Sequence, residues 1–493
     1  MPQLSYPGVY IEEVPSGVRT ITGVATSIAL FIGWAARGPT DRAVRLTSFT
    51  DFERTYGGLD LRTLLGYSVK HFYENGGADA YVLRITDDDA VTASCSIGDL
   101  TVSANSPGAW ANDYQVRLVR RADDAARFRL DVLHQPSNGA VVESFENLSM
   151  NDNDARSAEA VINGRSGIIA VDATSATTPN NATVDLDATT AGADGTEFGP
   201  DDPDFRTALL ARFGLGSITD RIDLFNMVCV PGLTDGATIA ILQHHSRDRR
   251  AFLIVDAPET ETVPTVPDSL ADMTGADAPN SAFYFPWVRS PDPLRQGALR
   301  AFPPCGFVAG VYARTDSTRG VWKAPAGSEA SLTGAVGFSI SMSDPENGQL
   351  NPRAINCLRT LPVFGNVVWG ARTLHGDNDR GSEWKYVPVR RTALFIEESL
   401  YRGTQWVVFE PNDEPLWAQI RLNVGAFMQN LFRQGAFQGR SPREAYLVKC
   451  DRETTTQNDI DLGVVNILVG FAPLKPAEFV IIKIQQMAGQ IPT

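Results

Sequence analysis

The residues whose types could support catalysis are scattered along this 493-residue chain. His244 and His245 are adjacent, so on a helix they point about 100° apart and cannot chelate one ion as an i,i+4 pair can. Asp256 ends an apolar run that predicts a strand, and ligands usually bind at the carboxyl edge of an α/β sheet. It could act as the acid of a hydrolase triad, or it could cap a turn before Pro258, since no histidine lies nearby in sequence. Two interpretations therefore stay open: a hydrolase with an unrecognised active site, and a protein without a catalytic centre.

Metal and cofactor motifs are equally sparse. Asp377, Asp379 and Glu383 could offer carboxylates to calcium, but the segment HGDNDRGSE lacks the full D-x-[DN]-x-[DN]-G pattern and is more typical of a solvated loop. A Walker phosphate loop, HExxH and GxSxG do not occur. The cysteines are odd in number, and no two form a CxxC pair, which favours isolated thiols in a reducing compartment. We therefore expect no metal and no cofactor, and we favour a protein that is not an enzyme.

The charge balance excludes further classes of protein. The chain has 43 Lys and Arg against 58 Asp and Glu, a net charge of −15, whereas a protein that binds nucleic acid needs a basic patch. We expect no nucleic-acid partner and no membrane insertion, because the longest apolar runs are far shorter than the roughly 20 residues that cross a bilayer. The opening MPQLSYPGVYIEEVPSG has neither a basic nor an apolar signal region. This predicts synthesis in the cytoplasm, with release only by lysis or in a particle.

The elements that must position these residues follow an α/β order. Apolar runs at 28–34 and 80–85 predict strands on either side of two helices, and this β-α-β order implies a parallel or mixed sheet. The same alternation resumes in the middle of the chain. We therefore predict an α/β fold, of mixed α+β class, whose core comprises 25–91 and 216–353.

Composition changes divide the rest of the chain. Short β-like runs separated by turn residues predict an inserted β-rich module over 92–215, and within it 172–204 has almost no large apolar residue and predicts a surface linker. Residues 354–477 predict a C-terminal α+β domain with two amphipathic helices. The two ends, 1–24 and 478–493, resemble extended arms, although the first could instead be a frayed terminus.

The segment GVYARTDSTRGVWKAPAG, at 310–327, contains no residue pattern typical of a catalytic site. Its small residues and its alternation of charges suit packing and salt bridges, so we predict an interface loop. Its candidate contact residues are Arg314, Asp316, Arg319, Trp322 and Lys323.

Eight segments, in order over nearly the whole chain, match one known family. They are YPGVYIEE at 6–13, FIGWAARGP at 31–39, SPGAWANDYQV at 106–116, VVESFENLSM at 141–150, the segment at 310–327, INCLRTLPVFGNVVWGARTL at 355–374, LFRQGAFQG at 431–439 and FAPLKPAEFVIIKIQQMAG at 471–489. The sequence resembles the contractile tail sheath proteins of phage tails, R-type pyocins and extracellular contractile injection systems. The resemblance does not distinguish among these three kinds of particle.

The resemblance implies a non-enzymatic structural subunit. Such subunits form homo-oligomeric hexameric rings that stack around an inner tube protein, meet baseplate and terminator or cap proteins, and contract to drive the tube through a target envelope. It also implies a core that is partly subtilisin-like in fold. Fold alone does not give function, and this sequence lacks a recognisable triad.

Within that resemblance, the arms are candidate strand donors. An arm that cannot fold alone can add a strand to the open sheet edge of a neighbouring subunit. The candidate residues for this inter-subunit strand exchange are Val18, Arg19, Thr20, Ile21, Thr22, Phe479, Val480, Ile481, Ile482, Lys483 and Ile484.

A predicted helix at 414–434 carries an apolar stripe, and its opposite face is polar. In the resembling proteins a helix of this block contacts the tube through complementary charge, so we predict the same role here; an ordinary solvent-facing helix side is the alternative. The candidate tube-facing residues are Arg421, Gln429, Asn430 and Arg433.

Overall fold

The computed structural model describes residues 19–196 and 198–483, which form two compact units. The core unit comprises residues 25–318 and 325–387. The C-terminal unit comprises, among the described residues, 19–24, 319–324 and 388–483.

The first part of the core unit is a β-α-α-β segment in which β1 and β3 pair in parallel, with Ala29 opposite Ala80. Helix α1 begins after Ser48, whose side chain accepts a hydrogen bond from the Asp51 N–H, and it ends at Gly57 in the left-handed conformation. The elements are β1 (Ala29–Gly33), β2 (Val44–Leu46), α1 (Phe49–Tyr56), α2 (Leu65–Glu74) and β3 (Ala80–Arg84).

An inserted module follows and has its own hydrophobic cluster. Its elements are β4 (Ser94–Ile97), β5 (Leu100–Ala104), β6 (Tyr114–Arg120), β7 (Phe128–His134), β8 (Ala140–Leu148), α3 (Ala158–Ile162), β9 (Ile169–Ala173) and β10 (Ala182–Asp185). They form a four-stranded antiparallel sheet in the order β10-β6-β7-β8 and a three-stranded antiparallel sheet in the order β4-β5-β9.

The predicted linker at 172–204 is wrong. Strand β10 pairs with β6, Leu186 is fully buried in the module, and Ala193 bridges to Val91. The predicted module end at 215 is also wrong, because Phe205 packs in the hydrophobic cluster of the core unit. Backbone hydrogen bonds hold this segment to the module, and backbone pairing does not require the large apolar side chains that the segment lacks.

The remainder of the core unit completes an eight-stranded sheet in the order β18-β17-β13-β12-β11-β1-β3-β2. Its elements are α4 (Pro203–Leu210), β11 (Met227–Cys229), α5 (Gly236–Asp248), β12 (Phe252–Asp256), β13 (Ser281–Phe285), β14 (Val288–Asp292), β15 (Ala298–Phe302), α6 (Cys305–Arg319), β16 (Gly337–Phe338), α7 (Asp344–Leu350), β17 (Ile355–Leu361) and β18 (Gly365–Val368). The six inner strands are parallel, and the edge strands β2 and β18 are antiparallel to their neighbours. Strands β14, β15 and β16 form a separate small sheet. The predicted mixed α/β class is confirmed.

The predicted boundary at 354 is wrong. Strand β17 pairs in parallel with β13, with Phe283 opposite Ile355, so it is a strand of the core sheet. The C-terminal unit resumes only at Pro388. The sequence of an apolar strand does not show which distant strand it pairs with, so nothing local to β17 indicates that it belongs to the core sheet.

Arg84 is a fully buried charge at the end of β3. Its guanidinium donates to the carbonyl oxygens of Ala35 (2.7 Å), Gly38 (2.7 Å) and Ala36 (3.2 Å), all in the loop after β1, and to that of Pro107 (2.9 Å) in the inserted module. Burial lowers the pKa of this guanidinium to about 10, so it stays charged near neutrality. One side chain thereby holds the loop after β1 against the module.

His71 on α2 is the buried histidine of the core unit. Its ring stacks on Phe307 with a centroid distance of 3.9 Å and meets Phe302 edge-on. Burial, together with the neighbouring Lys70, lowers the pKa of this imidazole from 6.5 to about 3. The folded chain therefore binds this proton far less readily than the unfolded chain.

We expect His71→Phe to reduce the acid sensitivity of the chain. Between pH 6.5 and about 3 the unfolded state takes up a proton that the folded state does not, so stability falls as pH falls. At pH 5 the loss from this group is about 2 kcal/mol, and phenylalanine, which suits the surrounding rings, would remove it. Urea unfolding of both proteins at pH 7.5 and pH 5 measures the difference. A variant with the full pH dependence of the wild type would contradict this assignment.

The C-terminal unit contains α8 (Val387–Gly403), α9 (Glu414–Arg433), α10 (Pro442–Ala445), β19 (Tyr446–Lys449), α11 (Gln457–Asp461) and β20 (Leu468–Phe471). Helix α9 begins after Asp413, whose carboxylate accepts from the Leu416 N–H. The predicted apolar stripe of α9 is buried from Trp417 to Leu431. Strands β19 and β20 form a two-stranded antiparallel sheet.

Candidate assembly surfaces

Asp256, the strongest catalytic candidate in the sequence, is buried and bound by backbone N–H groups. Its side chain is 1% exposed, and its two carboxylate oxygens accept hydrogen bonds from the backbone N–H groups of Cys305 (2.7 Å) and Gly232 (3.1 Å). Burial raises the pKa of Asp256 to about 6, although these donors favour its charged form. The carboxylate joins the ends of β11 and β12 to the first turn of α6.

The other candidate ligands do not converge on a metal. His244 pairs with Asp277 at 3.0 Å, and Asp377 pairs with Arg380 at 2.8 Å. Within 19–196 and 198–483, no group of three or more His, Cys, Asp and Glu side chains is placed to hold an ion. In the same ranges, no helix combines the length and apolar character needed to cross a bilayer.

The predicted tube-facing residues on α9 have different environments. Arg433 and Asn430 are exposed near the end of the helix. Gln429 accepts a hydrogen bond from the Tyr446 hydroxyl at 2.9 Å. Arg421 pairs with Glu414 at 2.6 Å and also donates to the carbonyl oxygen of Cys450. Arg433 and Asn430 therefore present their side chains to solvent, whereas Arg421 and Gln429 bind within their own unit.

The N-terminal candidate strand packs on its own unit over the residues described. The Arg19 N–H donates to the buried side chain of Asn423 (3.1 Å), and the Val24 N–H donates to Ser399 Oγ (3.2 Å). Ile21 is 6% exposed and lies in the hydrophobic cluster of the C-terminal unit. Residues 19–22 have no strand pairing in this structure. Exchange of this segment stays a prediction, and it would require Ile21 to leave that cluster; Val18 lies outside the described residues.

The C-terminal candidate strand is exposed, whereas the N-terminal one is packed on its own unit. Phe479, Val480, Ile481 and Ile482 are 75–81% exposed, and Lys483 is also exposed. The structure gives residues 479–483 no hydrogen-bonded secondary structure within the described chain. Ile484 lies outside the described residues. This run of β-prone apolar side chains is thus fully presented to solvent.

The predicted interface loop at 310–327 is wrong in its first half, which forms the end of α6. Glycines bring this helix close to α2: a Cβ at Gly306 would lie 2.3 Å from the carbonyl oxygen of Ser68, and one at Gly310 would lie 2.6 Å from that of Phe72. The tertiary contact therefore selects a helix in a segment of poor helix propensity.

Three of the contact residues predicted in this segment, Arg314, Trp322 and Lys323, make contacts within the chain, and an interface role for the segment stays a prediction. Arg314 donates to the carbonyl oxygens of Asn75 and Ser331, and burial lowers the pKa of its guanidinium. Asp316 and Arg319 lie in the last turns of α6. Trp322 packs against the cluster of the C-terminal unit, and Lys323 donates to the carbonyl oxygen of Ala324.

Sequence reasoning missed three features. Asn423 on α9 is a buried acceptor for the Arg19 N–H of the N-terminal segment. Phe409 is a fully exposed aromatic residue with φ +69°, a backbone state that sequence does not reveal. The loops at the carboxyl edge of the core sheet line an open cleft of about 580 Å³. A cleft formed by distant loops has no local sequence signal.

Comparisons with known proteins place this architecture in a family. The family model for the phage tail sheath protein central domain matches residues 222–374, and that for the phage tail sheath C-terminal domain matches residues 379–487. The tail sheath protein of Burkholderia phage BcepMu is 24% identical over 480 residues, covering 89% of this chain and 90% of that protein. A prophage major tail sheath protein of Pseudomonas aeruginosa strain UCBPP-PA14 is 24% identical over 276 residues, covering 54% of this chain and 67% of that protein.

A shorter match is the tail sheath protein of Salmonella phage ViI, of which the aligned part spans 26%, and 36% of this chain.

A solved structure of similar fold is the sheath complex, in the contracted state, of the extracellular contractile injection system PVC. It has a TM-score of 0.63 and 24% identity, and the match covers 99% of both chains. The two family models together span more than half of the chain in their expected order. The chain belongs to the phage tail sheath protein family.

Proposed function

We propose that the chain polymerises as stacked hexameric rings around an inner tube and contracts to drive that tube through a target envelope. Its partners are then other copies of itself, the tube protein, a baseplate and a terminator or cap. It would be made in the cytoplasm and released as part of a phage tail or tail-like particle. The fold is similar to that of the PVC sheath in its contracted state, which supports the proposal that the subunits have an extended and a contracted arrangement.

The observation that carries the proposal is the exposed run Phe479–Ile482. Four consecutive large apolar side chains at 75–81% exposure are unusual for a soluble chain that acts alone, because burying each would stabilise it by about 1.5–3 kcal/mol. An extended apolar segment can complete the sheet of another copy through main-chain hydrogen bonds. The run thus has the chemistry of a strand donor.

The small sheet of the C-terminal unit offers an acceptor of matching kind. Strands β19 and β20 pair with each other, and within the described chain neither pairs with a third strand, although Phe437 bridges to Pro473 just beyond β20. Leu447 and Leu468 on this sheet are 48% and 51% exposed. A strand added at either edge would cover apolar surface and pair free backbone groups.

Electron microscopy of the purified recombinant protein tests the proposal. Tubes or stacked rings with six-fold symmetry are expected. Monodisperse monomers over a range of salt and protein concentrations would contradict it. A serine-reactive probe that labelled the monomer would instead favour the hydrolase alternative, whose best candidate, Asp256, is held by backbone donors.

Arg433→Glu is expected to separate polymerisation from tube binding. Arg433 is exposed near the end of α9, and a charge contact of this kind gives register and steering at modest affinity. The variant should still form sheath polymers alone, while extended sheath–tube particles fall by at least about tenfold because the loss repeats along the polymer. Counting particles by electron microscopy measures both. Arg440→Glu, an equal charge change at another exposed residue, is the control; undiminished particles from the Arg433 variant would move the tube-binding surface elsewhere.

A further inference from the structure

Residues 19–24, called here the anchor segment, bind to the C-terminal unit without forming a helix or a strand. At one end, the Arg19 N–H donates to Asn423 Oδ1 (3.1 Å). At the other end, the Val24 N–H donates to Ser399 Oγ (3.2 Å). Asn423 and Ser399 are 2% and 0% exposed, so both acceptors would be left buried without this donor if the segment moved away.

Two glycines shape the contact between these hydrogen bonds. Ile21 is buried, and a Cβ at Gly403, the last residue of α8, would lie 2.5 Å from its Cγ2. A Cβ at Gly23 would lie 2.9 Å from Phe395 Cζ. Ile21 therefore packs into a notch that exists because residue 403 has no side chain.

The remaining residues of the anchor segment lie at the surface. The Arg19 guanidinium carbon lies 4.7 Å from the centroid of the Trp406 ring, which is a cation–π contact. Thr20 and Thr22 are exposed on either side of the buried Ile21. One inserted apolar side chain, with main-chain N–H groups bound by polar side chains, is the arrangement of a bound peptide.

The anchor segment and the C-terminal run would therefore respond differently to donation. Phe479–Ile482 are 75–81% exposed and have no hydrogen-bonded secondary structure within the described chain, so their own copy can release them without disrupting its fold. Release of the anchor segment would expose Ile21 and remove the donors from two buried acceptors.

We propose that residues 19–24 stay bound to their own C-terminal unit when copies assemble, and that they anchor the N-terminal arm there. Any strand that this arm donates then comes from the chain before Arg19. The link to a neighbouring copy ends on α8 and α9, so these helices bear the pull on the arm and β1 does not. This inference rests on the proposed polymerisation, and it is the alternative to the exchange of residues 19–22 predicted from the sequence.

A disulfide lock tests whether the anchor segment leaves its site. A Cβ at Gly403 would lie 3.1 Å from Ile21 Cβ, near the roughly 3.5–4.5 Å of a disulfide, so Ile21→Cys combined with Gly403→Cys should form one within the chain. The native cysteines are buried. The double variant is oxidised as a monomer and then polymerised, with the same protein under reductant as the matched control. We expect mass spectrometry to show an intramolecular disulfide, and electron microscopy to show equal polymer yields in both samples.

Two results would overturn the anchor. Loss of polymers on oxidation, with recovery on reduction, would mean that the segment must leave its site. Covalent dimers, formed when reduced polymers of the double variant are oxidised, would mean that the segment lies on another copy. Absence of polymers from the wild type would instead overturn the proposed function itself.

Hydrogen exchange of the wild type gives a second readout that needs no substitution. Peptides that cover residues 19–24 should exchange at rates within about threefold in monomers and in polymers, because the Arg19 and Val24 N–H groups keep their acceptors. A larger difference would overturn the anchor, since faster exchange would show release and slower exchange would show new strand pairing.

Discussion

Truncation after Glu478 is expected to abolish polymerisation and to leave a folded chain. Residues 479–483 have no hydrogen-bonded secondary structure within the described chain, and Phe479–Ile482 are 75–81% exposed, so their removal costs the fold almost nothing. If the run is the exchanged strand, each copy loses its link to the next. Circular dichroism and thermal melting should match the full chain, whereas sedimentation and electron microscopy should show monomers only. Normal tubes from the truncated chain would contradict the strand-donor assignment.

Paired lysine substitutions sharpen this test without shortening the chain. Successive side chains of a strand point to opposite faces, so an exchanged strand buries one alternate pair and exposes the other. We expect only one of the two double variants, Phe479→Lys with Ile481→Lys or Val480→Lys with Ile482→Lys, to lose polymers. The other double variant is its matched control, and equal effects of both pairs would argue against a half-buried strand.

Arg84→Met is expected to destabilise the core unit by about 3–5 kcal/mol. The guanidinium donates to four carbonyl oxygens, in two buried and two partly buried hydrogen bonds, and each fully buried acceptor left without a donor costs about 1–3 kcal/mol. Methionine fills similar volume, so the loss reports mainly on these hydrogen bonds. In urea unfolding at pH 7, the core unit of the variant should unfold at a clearly lower urea concentration than that of the wild type.

A matched surface variant separates this effect from simple loss of charge. Arg42 has a side chain that is 68% exposed and pairs with Asp41, so Arg42→Met should change stability by less than about 0.5 kcal/mol. Arg84→Lys keeps the charge but cannot reach four acceptors in a fixed fork, and it should lie between the two. Equal stability of Arg84→Met and the wild type would show that water satisfies these carbonyl oxygens.

Local signals in the sequence located elements that local chemistry determines. Helix α1, Phe49–Tyr56, is one of the two helices expected between the first strands, and local residues fix its ends, Ser48 as the cap and Gly57 in the left-handed conformation. The end of α6 was missed because two of its glycines serve contact with α2, which the sequence does not show. Strand β17 was recognised as apolar but assigned to the wrong unit, because its partner β13 is distant along the chain.

The candidate assembly residues divide in the same way. Phe479–Ile482 were predicted as an apolar extended run, and their exposure agrees with that character. Ile21 has similar composition around it, yet it is buried by helices that are nearly 400 residues away. Arg421 lies two turns after Glu414 on α9 and pairs with it, whereas its second contact, with the carbonyl oxygen of Cys450, comes from tertiary structure that the helical wheel does not show.

The inserted module leaves and rejoins the core unit at neighbouring points. Val91 forms an antiparallel bridge with Ala193, and the Thr196 N–H donates to the Asp87 carboxylate at 3.3 Å. Because the two connections are adjacent, the strand order of the core sheet does not depend on the intervening chain, although Arg84 of the core donates to the carbonyl oxygen of Pro107 within it. Residues 92–192 are therefore a graft position, at which evolution can exchange one domain for another of different length. An engineer could use the same position to display a foreign domain once per copy along an assembled particle.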